Sequence, residues 1–107
     1  MFTKRSKINL IIKEYKKSLL DLGVRVQKIV LFGSYAKGRS HEYSDIDLIV
    51  ISEDFKRMNL RQRLEVLGIA AARIMKPVEA KGYTTAELKK ASPLNFLGEA
   101  LSSGIFV

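Results

Sequence analysis

The 107-residue chain contains no cysteine and a single histidine, His41. The first absence excludes a disulfide framework and thiolate metal sites, and it fits a reducing compartment. The second excludes a metal cage built from several imidazoles. Acidic residues are also scarce, eleven against nineteen Lys and Arg, which leaves a formal net charge of +8. A basic balance points to nucleic acid, an anionic surface or a phosphorylated ligand as partner, or simply to lysines that keep helix faces solvated. Solvated faces account for most of these residues, and nucleic acid is not the favoured partner. No run is long and apolar enough to span a bilayer. Lys13, Glu14, Lys16 and Lys17 interrupt the basic N-terminal segment, so it lacks the apolar core of a signal peptide. The expectation is a cytoplasmic protein forming one domain over residues 1–107.

What the chain does contain is an alternation of helical and extended patterns. Ile8, Ile11, Ile12, Tyr15, Leu19 and Leu22 recur at helical spacing and predict an amphipathic first helix that stops at Gly23. Val26–Phe32 reads as a strand, and Asp45–Ser52 as a second whose apolar centre, Leu48 to Ile51, implies burial on both faces. Between them, "SYAK" suits one short helical turn. "EDFKRM" reads as a charged connection. Asn59 and Gln62 form a capping box for a helix whose stripe is Leu60, Leu64, Leu67, Ala71 and Ile74 and which Pro77 ends. Val78–Tyr83 reads as a third strand, Thr84 and Glu87 cap a short helix, and Ser92-Pro93 starts a last one that Gly104 ends. The fold class is α/β, a single small domain with a short mixed sheet of about three strands packed with helices.

Chemistry concentrates in "LFGSYAKGRSHEYSDIDLIV", residues 31–50. Alternate side chains of a strand share a face, so Asp45 and Asp47 point the same way, roughly 7 Å apart along the backbone. Two carboxylates that close repel each other unless a cation lies between them. Hard oxygen ligands suit Mg²⁺, which takes one or two carboxylates plus phosphate oxygens and water. Gly33-Ser34 ends the preceding strand, where backbone N–H groups, a helical-turn dipole and the serine hydroxyl can meet a phosphate. Each fragment alone is a common turn. Together they describe a site for phosphoryl or nucleotidyl transfer, in which two metals can activate the attacking oxygen and stabilise the leaving one.

These residues resemble the Gly-Ser, ten residues, Asp-x-Asp signature of the DNA polymerase β-like nucleotidyltransferase superfamily. More narrowly, the chain is similar to the minimal nucleotidyltransferases, small domains typified by MntA-type antitoxins. The resemblance implies a polymerase β-like domain, with Gly33 and Ser34 at the triphosphate of a bound nucleotide and Asp45 and Asp47 on Mg²⁺, two ions in all. Ala36, Gly38 and Ser44 match as architectural positions. Lys37 stands where the family often has arginine, keeping a charge for phosphate but losing bidentate geometry. Arg39 is a further candidate for the phosphates.

The family usually adds a third carboxylate on a later strand, commonly aspartate. The candidate here is Glu79, longer by one methylene, with Lys81 on the same face by parity; an ordinary Glu79–Lys81 pair is the competing reading. Glu53 and Asp54 lie at the far end of the second strand, with Glu53 roughly 20 Å from Asp47. Asp21, Glu65 and Glu87 read as solvated helix charges, and His41 has no assigned role. The resemblance further implies transfer of AMP from ATP to a hydroxyl of a partner protein. That partner would be a HEPN-domain toxin, with the chain as the antitoxin of the pair. A silent binding module of the same fold, which neutralises such a partner by contact, is the alternative. A second copy of the chain is another way to position the acceptor, and the apolar tail "GIFV" suits a docking edge, a small strand or a core plug.

Overall fold

The computed structural model describes residues 4–33, 45–90 and 104–107. Its elements run α1 (Lys4–Asp21), β1 (Lys28–Phe32), β2 (Ile46–Ile51), a 3₁₀ turn (Glu53–Arg57), α2 (Leu60–Ile74), β3 (Val78–Tyr83), α3 (Thr85–Lys89) and β4 (Ile105–Phe106). The strands form one mixed sheet in the order β3-β2-β1-β4. β1 is antiparallel to both neighbours, whereas β2 and β3 are parallel and joined through α2. Among the described residues the sheet therefore has four strands, against an expectation of about three. The fourth is the small strand within "GIFV", where Ile105 pairs with Leu31 and Phe106 with Val30. The short turn expected at "SYAK" and the last helix from Ser92-Pro93 lie outside the described residues.

The strand pleat sorts side chains into two layers. Ile29, Leu31, Ile46, Leu48 and Val50 face α1 and α2 and form the main core with Ile8, Ile11, Ile12, Tyr15 and Leu19. Val30, Ile49 and Ile51 point to the opposite face and cluster with Phe32, Tyr83 and Leu88. Burial on both faces explains the unbroken apolar run of β2.

α1 and α2 are locked by polar contacts as well as by packing. The Tyr15 hydroxyl donates to the Leu67 carbonyl at 2.8 Å, and the Ser18 hydroxyl donates to the Ala70 carbonyl at 3.0 Å. Small residues at Ala70 and Ala71 give α1 room to approach. Burial pushes the Tyr15 phenol well above its ordinary range, so it stays a neutral donor.

Of two expectations for α2, the ends hold and the stripe does not. The helix starts with the Asn59–Gln62 capping box and ends at Met75 in the left-handed region, two residues before Pro77. Its buried stripe, however, is Leu67, Ala70 and Ala71, while Leu60 and Leu64 are exposed. The first turns of α2 stand beside β3, the edge strand among the described residues, with no described strand beyond it to bury them. The "EDFKRM" connection is also more than a charged link. It forms the 3₁₀ turn, capped by the Ser52 hydroxyl, and it sends Phe55 fully into the core. Phe55 lies so close to Gly82 that a Cβ there would come within 2.7 Å of the ring. A glycine in mid-strand is explained by that approach.

Candidate active site

Asp47 is the second residue of β2, with Phe32 of β1 opposite on one side and Glu79 of β3 on the other. Register partners on adjacent strands lie about 4.8 Å apart, with their side chains on one face. Asp45 immediately precedes β2 and shares that face by parity. Gly33 follows β1 directly, at φ +75°, and a Cβ at this position would run into the Asp47 carboxylate. Glycine is required here twice over, by the backbone conformation and by the carboxylate that occupies the space. Four of the seven sequence candidates, Gly33, Asp45, Asp47 and Glu79, are therefore brought to one end of the central strands. Ser34, Lys37 and Arg39 lie outside the described residues, as does His41.

The electrostatics reflect this crowding. The Asp47 carboxyl is raised above its ordinary value, chiefly by desolvation, then by the charges of Glu79 and Asp45, with Lys81 opposing them. Asp45, Glu79 and Lys81 are all exposed. Among the described residues no group of three or more acidic or imidazole side chains is gathered closely enough to hold a metal ion. The row is an open set of carboxylates whose mutual repulsion a divalent cation would relieve, so the donor chemistry suits a hard cation.

The rival acids serve other ends. Glu53 accepts from the Thr85 amide at 2.9 Å, which together with the hydroxyl of the same residue holds its carboxyl below the ordinary range. Asp54 accepts from the Arg25 amide at 2.8 Å. Both sit beyond the C-terminal end of β2, away from Asp47. Glu65 pairs with Arg61 on the surface of α2.

Glu87 is more than a solvated helix charge. It closes the capping box of α3 and also accepts from Arg63 at 2.7 Å. Arg63 is largely buried, and it donates further to the carbonyls of Met58, Phe55 and Gly82 at 3.2, 2.8 and 3.2 Å. One guanidinium thus joins the 3₁₀ turn, α2, β3 and α3, which holds the strand that carries Glu79. Its signal in the sequence was an arginine between Leu60 and Leu64 on a stripe read as apolar.

The sequence profile of the nucleotidyltransferase domain matches residues 12–95. Two proteins of Methanocaldococcus jannaschii provisionally named protein adenylyltransferases, MJ1379 and MJ0141, are 39% identical over 62 residues and 34% over 55. The matches cover 58% and 50% of this chain, and only 61% and 56% of those relatives. A crystal structure of a toxin–antitoxin with AMP-PNP superposes with a TM-score of 0.58 at 30% identity, over 92% of this chain and 69% of that one. A protein from Sulfolobus solfataricus provisionally named a nucleotidyltransferase shares the fold alone, with a TM-score of 0.56 at 18% identity, over 99% of this chain and 89% of that one. With the profile running from mid-α1 past α3 and enclosing Gly33, Asp45, Asp47 and Glu79, this chain belongs to the nucleotidyltransferase domain family.

Proposed function

We propose that the chain, as one nucleotidyltransferase domain over residues 1–107, transfers AMP from ATP to a hydroxyl group of a partner protein, in the cytoplasm. The observation that carries this reading is the register of three strands around Asp47. It sets Gly33 on one side of the carboxylate and Glu79 on the other. Gly33 lets the Asp47 carboxylate lie directly against this corner, and Ser34, Lys37 and Arg39 follow it in sequence with a hydroxyl and two cations for the phosphate oxygens. Asp45, Asp47 and Glu79 would hold Mg²⁺, in two sites, and bound Mg²⁺ would neutralise the charge on the triphosphate and on the leaving pyrophosphate.

In the transfer, the acceptor oxygen forms a bond to the α-phosphorus and the bond to the β-phosphate bridging oxygen breaks. Pyrophosphate leaves, and the acceptor proton passes to the Glu79 carboxylate. The chain's own contribution is to orient and to neutralise charge. Its AMP-PNP-bound toxin–antitoxin neighbour supports ATP as donor and a toxin as partner. A HEPN-domain toxin is the partner that the family resemblance favours.

The test is label transfer from α-labelled ATP, in magnesium buffer, to a co-purified partner. Wild type labels the partner and Glu79→Gln does not. Equal labelling by both removes Glu79 from the reaction. The open arrangement of the three carboxylates favours one second reading, a binding module that neutralises its partner by contact. That reading wins if wild type inhibits the partner without ever labelling it.

A further inference from the structure

Beside the free edge of β3 lies a cavity of about 740 Å³ between the start of α2 and α3. Its wall combines Met58, Leu60 and Leu64 with Tyr83, Lys81 and Lys90. Leu60 is 71% exposed and Leu64 49%, unusual for leucines on a helix whose other face is core. Charged groups in the wall favour one sign, with Arg63, Lys81 and Lys90 against Glu87 alone. The groove borders the acid row along β3, because Lys81 lines it and stands two residues from Glu79 on the same face of the strand. From Gly82, at its floor, back to Glu79 is three residues of strand, or about 10 Å.

We propose that this groove seats the acceptor-bearing segment of the partner protein, a short extended stretch with apolar side chains set between carboxylates. The inference rests on the transfer reading above. In phosphoryl transfer the attacking and leaving oxygens lie roughly in line across the phosphorus. The phosphate corner at Gly33 is on the β1 side of Asp47, so the acceptor enters from the β3 side, where the groove opens. Apolar side chains of the segment cover Leu60 and Leu64, and its carboxylates face Lys81 and Lys90. A segment anchored there needs only about three or four extended residues to bring a hydroxyl to Glu79. A second copy of the chain is a poor occupant, because each copy carries a net charge of +8. Nucleic acid is a poor one too, since phosphates gain nothing from a lip of leucine and methionine.

The test uses the full chain and a fluorescein-labelled peptide, Glu-Glu-Leu-Tyr-Glu-Leu-Glu, with a control in which lysine replaces each glutamate. Anisotropy should show the acidic peptide binding at least tenfold more tightly than the control. Leu60→Glu combined with Leu64→Glu should weaken it at least tenfold, and Lys90→Glu at least threefold, with magnesium-ATP affinity unchanged in both variants. These side chains are exposed, so the substitutions leave the core intact. The proposal is overturned if wild type does not bind the acidic peptide, or if neither variant alters its binding. It is equally overturned if the variants lose magnesium-ATP affinity instead, which would make the groove a nucleotide seat. Wild type that binds the peptide but not magnesium-ATP overturns the transfer reading by itself, and with it the acceptor role of the segment.

Discussion

Under α1 and α2, the sheet presents Ile29, Leu31, Ile46, Leu48 and Val50, each nearly inaccessible to water. On the other face the same strands bury Val30, Ile49 and Ile51, and then end in Asp45, Asp47 and Glu79. The first face follows the rules of packing throughout, with apolar contacts, satisfied hydroxyls at Tyr15 and Ser18, and a glycine where an aromatic ring comes close. The second breaks them at one end, where register sets acid beside acid. Stability and chemistry are thus assigned to different sides of a single four-stranded layer. Substitutions in the buried core and in the acid row should accordingly move stability in opposite directions.

The largest effect should come from the packed side. Phe55→Ala removes a fully buried ring and should cost about 3–5 kcal/mol in urea denaturation, enough to unfold a marginal domain. Tyr15→Phe keeps the ring and deletes the hydroxyl that binds the Leu67 carbonyl, so it should cost about 1 kcal/mol by the same measurement. A neutral result would mean that the α1–α2 seam is held by packing alone. On the acidic side the sign reverses. The raised Asp47 carboxyl means that its ionised form is disfavoured in the folded state, so folding is easier when this group carries no charge. Asp47→Asn should raise the melting temperature in magnesium-free buffer at neutral pH while lowering transfer by more than about a hundredfold, beyond the usual cost of losing an outer-shell metal partner. A lowered melting temperature would show that the carboxylate row is not under repulsion.

The smallest effect concerns the latch between Arg63 and Glu87. The Arg63 guanidinium holds the Glu87 carboxyl below its ordinary value. A depressed folded-state value stabilises the fold above the unfolded carboxylate range and loses that contribution as pH falls through the depressed value. Glu87→Gln should therefore flatten the acid limb of a melting-temperature profile below about pH 4.5, the ordinary value for glutamate. An unchanged limb would leave the ion pair without influence on stability.

Local chemistry made much of this molecule legible in advance. Both capping boxes, at Asn59–Gln62 and Thr84–Glu87, form as their side chains predict, and Val78–Tyr83 is a strand over that whole span. The stripe of α1 is buried from Ile8 to Leu19. Asp45 and Asp47 could be assigned to one face because strand parity is a local property. What remained hidden depended on partners far along the chain. Nothing near Leu60 and Leu64 reveals that they stand beside the last described strand of the sheet. Nothing near Phe55 shows the glycine that admits its ring. The neighbourhood of Glu79 and Asp47 is likewise a fact of long-range pairing, which parity narrows to alternate positions but cannot fix.

That pairing has a consequence for how the domain comes into being. Asp45 and Asp47 leave the ribosome well before Glu79, and residues 52–77 must be made and folded back over the sheet before β3 can lie beside β2. Parallel pairing across such a span is among the slower events in folding, because the loop must close before any contact rewards it. During synthesis the acid row therefore stays incomplete until the domain's crossover has closed, so a nascent or truncated chain displays two carboxylates without their third neighbour.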